Sequence, residues 1–100
     1  MPDVWSSGTQ NITADGVVGT SGAVTRLFNM HVISTGGGGA VINVRNGTLV
    51  TDTIFIKETG TVSTGKTFDY GLHGHVFSSG CYVDIDGNTT SVAVNYSQGN

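Results

Sequence analysis

Charge is scarce in this chain: 11 of its 100 residues are Asp, Glu, Lys or Arg, less than half of the roughly 25% usual in soluble domains. The four basic residues, Arg26, Arg45, Lys57 and Lys66, are scattered along the sequence, and the net charge is −3. Such a set cannot neutralise a run of phosphates, which excludes nucleic acid as a partner. Cys81 is the single cysteine, so no disulfide can form within the chain and stability rests on the core or on neighbouring subunits. Glu58 is the only glutamate, no Ser or Cys stands in a nucleophile motif, and Asp52, Asp69, Asp84 and Asp86 lie near turns or in the polar phase of strands. These read as solvated carboxylates, and no enzyme is expected. No run of about 18 apolar residues occurs, and MPDVWSSGTQ lacks the basic and apolar regions of an export signal. These absences predict a soluble chain with no membrane partner, made without an export signal.

What the chain has instead is 16 Gly, 14 Thr, 13 Val, 9 Ser and 7 Asn, the palette of strands and tight turns. The apolar residues recur with period two. Ile42 and Val44, Ile54 and Ile56, Val83 and Ile85, and Val92 and Val94 hold the apolar phase of their runs, which predicts that all eight point into one core. From Val24 to Ser34 the run is apolar in both phases, with Phe28, Met30 and Val32 alternating with Leu27 and Ile33. Turn signals such as Asp15-Gly16, Asn46-Gly47, Ser79-Gly80 and Asp86-Gly87-Asn88 separate the runs. The prediction is an all-β chain: a single antiparallel β-sandwich over residues 1–100, jelly-roll-like, with seven or eight short strands. Residues 1–8 read as an extended N-terminal arm and YSQGN as a short C-terminal tail.

Three strings invite a site, and each has a plainer reading. Gly60-Thr61-Val62-Ser63-Thr64-Gly65-Lys66-Thr67 matches the phosphate-binding pattern GxxxxGK[ST], but FDYGLHGHV follows where that loop needs a helix. The four glycines at 36–39 open the β-branched run AVINV and read as a hairpin tip. Asp84, Asp86 and Asn88 place oxygens at positions 1, 3 and 5 of a calcium loop, yet Thr89 and Asn95 stand where Gly and Glu are required; a hairpin turn is expected there. His73 and His75 would share a face of an extended segment, with His31 or Cys81 able to complete a metal site, but two solvent-exposed loop histidines explain them. No metal and no cofactor are expected. Asn-x-Ser/Thr strings at Asn11, Asn46, Asn88 and Asn95 read as turns.

The strings "HVIS", "RNGT", "GTVSTGKTFDYG" and "FSSGCYVDID", followed by "TTSVAVNY", resemble a group of small virion proteins of tailed bacteriophages, notably of marine and cyanobacterial hosts. The resemblance runs from Thr25 to Tyr96. It implies a β-sandwich cement or decoration subunit on the capsid surface, made in the host bacterial cytoplasm and often trimeric, whose partners are the major capsid protein and copies of itself. Low charge and many Thr-covered strands point the same way. Val4 and Trp5 in the arm, and Leu27, Ile33 and Phe55 on faces that a lone sandwich would expose, are the expected partner contacts. Two other roles fit the same chain: a tail, fibre or adaptor component, and a carbohydrate-binding module with Trp5, Tyr70, Tyr82 and Tyr96 as stacking faces.

Overall fold

The computed structural model describes residues 6–34, 40–60, 65–86 and 89–99. These residues form nine strands and no helix: β1 Ser6–Ile12, β2 Gly16–Val17, β3 Thr25–Ser34, β4 Ala40–Asn46, β5 Thr53–Gly60, β6 Lys66–Asp69, β7 His75–Phe77, β8 Cys81–Ile85 and β9 Thr89–Gln98. One sheet has the order β1-β9-β3-β6, with β7 also on β3, and the second has the order β2-β8-β4-β5. All pairings between these strands are antiparallel. The predicted β-sandwich is therefore present. Strands β6 and β7 lie end to end along β3, pairing with Asn29 to Val32 and with Thr25 to Leu27, so they form one interrupted edge strand.

The apolar phases meet between the sheets, and their burial drives the two layers together at roughly 25 cal/mol per Å² of apolar surface. Ile42, Val44, Ile56, Val83, Val92 and Val94 lie there as predicted, with Val18, Met30, Val32 and Phe77. Ile85 is only partly buried. Two predictions of phase are wrong, and both fail at a β-bulge. Leu27, expected on an outer face, is 0% exposed, while Ile54, expected in the core, is 42% exposed. In β3 the register jumps from Leu27 opposite Tyr96 to Asn29 opposite Asn95, leaving Phe28 as an extra residue. In β5 it jumps from Ile54 opposite Arg45 to Ile56 opposite Val44, leaving Phe55 extra. One inserted residue reverses the alternation on either side of it. In β3 the bulge brings Leu27 onto the same inner face as Met30 and Val32, while Ile33 stays outside.

Chain connectivity corrects further expectations. Strands β3 and β4 lie in different sheets, as do β8 and β9, so neither pair forms a hairpin; the glycine run at 36–39 and Gly87-Asn88, where the sequence predicts hairpin turns, lie outside the described residues. The ends are more ordered than predicted. Ser6 and Ser7 already pair with Gln98 and Ser97. The Gln98 amide donates to Val18 O at 2.8 Å and Thr25 Oγ1 at 3.0 Å, and accepts from Thr20 N at 2.8 Å. Gly80 (φ +112°) closes the same end of the sandwich: a Cβ there would come within 2.9 Å of Gly47 O and 3.1 Å of Gly22, so only glycine fits.

Truncation separates the two phases of these strands. Ile42→Ala and Val83→Ala should cost about 2–5 kcal/mol of stability, and Ile54→Ala under about 1 kcal/mol, as read by denaturant unfolding of the isolated chain.

Candidate interaction surface

The described residues enclose no cavity, so what the molecule offers a partner lies on its surface. The large apolar side chains left exposed are unevenly placed. Ile33 is near the far end of β3, whereas Val24, Leu49, Val50, Ile54, Phe55 and Val76 gather where β4 turns into β5 and β7 joins β3. Leu72, in the β6–β7 connection, is the most exposed of all at 88%.

At this end the hairpin between β4 and β5 is held rigidly. One carboxylate oxygen of Asp52 accepts hydrogen bonds from Thr48 N and Leu49 N, each at 2.9 Å. Asp52 N donates to Leu49 O and Gly47 N to Gly80 O, both at 3.0 Å. Arg45 reaches across to donate to Asp52 O at 2.9 Å and forms an ion pair with Asp84 at 3.0 Å. Local side-chain bonds of this kind fix a turn that Asn-Gly alone leaves loose. The result is a tip whose Leu49 and Val50 are 60% and 50% exposed, while the nearby charges are turned inward onto backbone and onto each other.

The flank beside the tip is built by the bulge in β5. Phe55 turns toward the other sheet, its ring 5.6 Å from that of Phe77 and 5.8 Å from that of His75, and the latter two rings are 5.1 Å apart. Further along, the Tyr70 hydroxyl donates to Glu58 Oε2 at 2.8 Å; burial first, and this bond second, raise the Tyr70 pKa above that of a free phenol. These contacts tie the free edge of β5 to the edge formed by β6 and β7. Gly74 (φ +69°) lets the connection between β6 and β7 lie close against β3, since a Cβ would meet Leu27 O at 2.9 Å.

The expected contacts separate accordingly. Phe55 and Ile33 are exposed, Leu27 belongs to the core, and Val4 and Trp5 lie outside the described residues. The histidines and the cysteine are not brought together. His75 packs between aromatic rings with Nδ1 buried and unbonded, His31 bonds Thr67 Oγ1 at 2.8 Å, and Cys81 is buried in the opposite sheet. No group of three His, Cys, Asp or Glu that could hold a metal occurs among the described residues. Asp84 is engaged with Arg45, and Asp86 Oδ1 accepts from the Thr89 hydroxyl at 2.8 Å. The tyrosines form no platform: Tyr70 and Tyr96 pack against the core, and Tyr82, between Arg45 and Val17, faces out. On the other outer face Thr9 donates to Asn95, and Asn95 to Asn29, in a polar row across three strands. No helix among the described residues is long and apolar enough to cross a membrane. No protein-family model, curated protein or solved structure matches this chain.

Sequence reasoning passed over Leu49, Val50 and Val76. A signal for the first two was present, because an apolar pair directly after Asn-Gly-Thr has no polar reason to be in a turn.

Two measurements test this geometry. Asp52→Ala should cost about 1–2 kcal/mol by removing a charged acceptor from two backbone donors, and hydrogen exchange at Thr48 and Leu49 should accelerate first. Burial pushes the Cys81 thiol up to about 12, so alkylation at pH 8 should require unfolding. Because the folded value lies above the unfolded one, this contribution to stability is complete below pH 9 and is lost between pH 9 and 12, which unfolding curves taken across that range would show.

Proposed function

We propose that this chain is a virion structural subunit of a tailed bacteriophage, a cement or decoration protein bound to the outside of the head. The observation that carries the reading is the locked hairpin tip. Leu49 and Val50 are held out in water by Asp52 and Arg45, an arrangement that gains nothing for a free monomer and pre-organises an apolar contact with a neighbour.

Strand order is compatible with the role. With β6 and β7 taken as one edge strand, β1-β9-β3-β6/β7 facing β2-β8-β4-β5 is the order of an eight-stranded jelly roll, an architecture found in capsid and lectin domains alike. Architecture does not choose between those two. The surface favours the first, because the tyrosines offer no stacking platform while apolar side chains gather at one end.

In this role the subunit stabilises a shell by mass action. The tip inserts between or onto subunits of the major capsid protein, and rupture must first expose the buried apolar surface. Occupancy at a hundredfold excess over Kd adds about 2.7 kcal/mol per site.

The test is a density map of intact particles, with thermal rupture of heads lacking and then supplied with the chain. Density on the head lattice and a higher rupture temperature are expected. A variant combining Leu49→Asp with Val50→Asp should fold normally and bind heads at least about tenfold more weakly. Density confined to the tail, or saccharide binding without head binding, overturns the proposal.

A further inference from the structure

We propose that Asn46-Gly47 is a site of spontaneous covalent modification, closed while the hairpin tip is locked and open to conversion when the tip lifts. It is the one Asn-Gly pair in the chain and stands where β4 ends and the tip begins. The consequence for a partner rests on the shell reading above; the chemistry does not.

The reaction needs no enzyme. Gly47 N attacks the side-chain carbonyl carbon Cγ of Asn46, a Cγ–N bond forms and the Cγ–Nδ2 bond breaks, and Nδ2 leaves as ammonia with the proton that Gly47 N gives up. Water then opens the five-membered ring, leaving aspartate when it attacks Cγ and isoaspartate when it attacks the main-chain carbonyl. Glycine favours the first step because it has no side chain to crowd the approach.

In the folded chain each participating group is already engaged. The nucleophile, Gly47 N, donates to Gly80 O at 3.0 Å, so its proton must be drawn out of a hydrogen bond. The electrophile is pinned at both ends: Asn46 Oδ1 accepts from Ser79 N at 2.8 Å, and Nδ2 donates to Ser78 Oγ at 3.3 Å. Pairing with both Cys81 and Thr53 holds Asn46 extended, a conformation that sends the side chain off the strand and away from the backbone that follows. Gly47 itself is buried, and a Cβ on it would overlap the Asp52 carboxylate. That carboxylate, which also accepts from Thr48 N and Leu49 N, covers the nucleophile and opposes the negative charge it must acquire. The tip and the turn at residues 78–80 supply these restraints jointly, so they are lost together when the tip lifts from Gly80.

Conversion is one-way. Aspartate lacks the N–H that Ser78 Oγ accepts and adds a charge beside Asp52, while isoaspartate adds a methylene to the main chain and shifts the register entering the tip. Either product loosens the presentation of Leu49 and Val50. The lock that presents the apolar contact therefore also preserves it.

Peptide mapping by mass spectrometry, after timed incubation in mildly alkaline buffer, tests the gate. Chain unfolded in denaturant should convert at Asn46, and native chain at least about a hundredfold more slowly, the ratio being set by how rarely the tip opens. Asp52→Ala should raise the native rate by about 5–30-fold, with hydrogen exchange at Gly47 N rising in step. Ser78→Ala, which removes an exposed hydroxyl, should raise it by about twofold to tenfold. Val92→Ala, in the core side of the opposite sheet, should leave it unchanged. Native chain converting as fast as unfolded chain, an unchanged rate in Asp52→Ala, or equal acceleration by Val92→Ala overturns the gate. Equal head binding by converted and unconverted chain overturns the effect on the tip. A chain that converts as described yet ignores phage heads supports the gate and removes the shell role, so the two proposals fail separately.

Discussion

An extra residue in each of two strands, Phe28 in β3 and Phe55 in β5, decides which side chains this molecule buries and which it presents. A strand alternates strictly, so one insertion exchanges inside for outside along the rest of its length. At Phe28 the exchange brings Leu27 into the same core as Met30 and Val32. At Phe55 it turns Ile54 out while Ile56 stays in, and the inserted ring itself fills the gap between the two sheet edges against Phe77 and His75. The corner of the sandwich is thus closed from within by aromatics and left apolar without.

That corner gives meaning to the low charge of the chain. Open sheet edges invite pairing with other chains, and natural proteins protect them with charge, proline or cover. Here β5 is covered in part by its contacts with β6 and β7, and Arg45, Asp52 and Asp84 beside the hairpin tip are engaged with each other or with backbone. Little opposes association at this end of the molecule. The opposite flank differs, because Gln10 bonds both Val17 O and Gly19 N, tying β1 to the second sheet through polar groups. The same sandwich therefore has one flank sealed by an amide and one flank whose surface is apolar.

Among the described residues no group of three His, Cys, Asp or Glu could hold a metal. The residues that could suggest chemistry have structural partners: Asp84 is held by Arg45, His31 by Thr67, His75 by aromatic rings and Glu58 by Tyr70. The Gly-Lys-Thr string leads into edge strand β6, where Lys66 lies 5.0 Å from the centre of the Phe68 ring, and no helix N-terminus is present there to receive a phosphate.

The amino-acid sequence by itself determined the class of fold and most of its core. Period two in β4, β8 and β9 places Ile42, Val44, Val83, Val92 and Val94 inside, because alternation is a property of one strand and needs no knowledge of its partner. The same local reading foresaw Phe55 as exposed. It could not foresee the bulges, the sheet to which each strand belongs, or the gathering of Val76 with Ile54 at one corner. Those depend on contacts between strands far apart in sequence, as β3 meets β9 by backbone pairing and β5 meets β7 through the rings of Phe55 and Phe77. Only the tertiary structure decided them, since a bulge exists by mismatch with a partner strand and a corner exists only where two sheets end together.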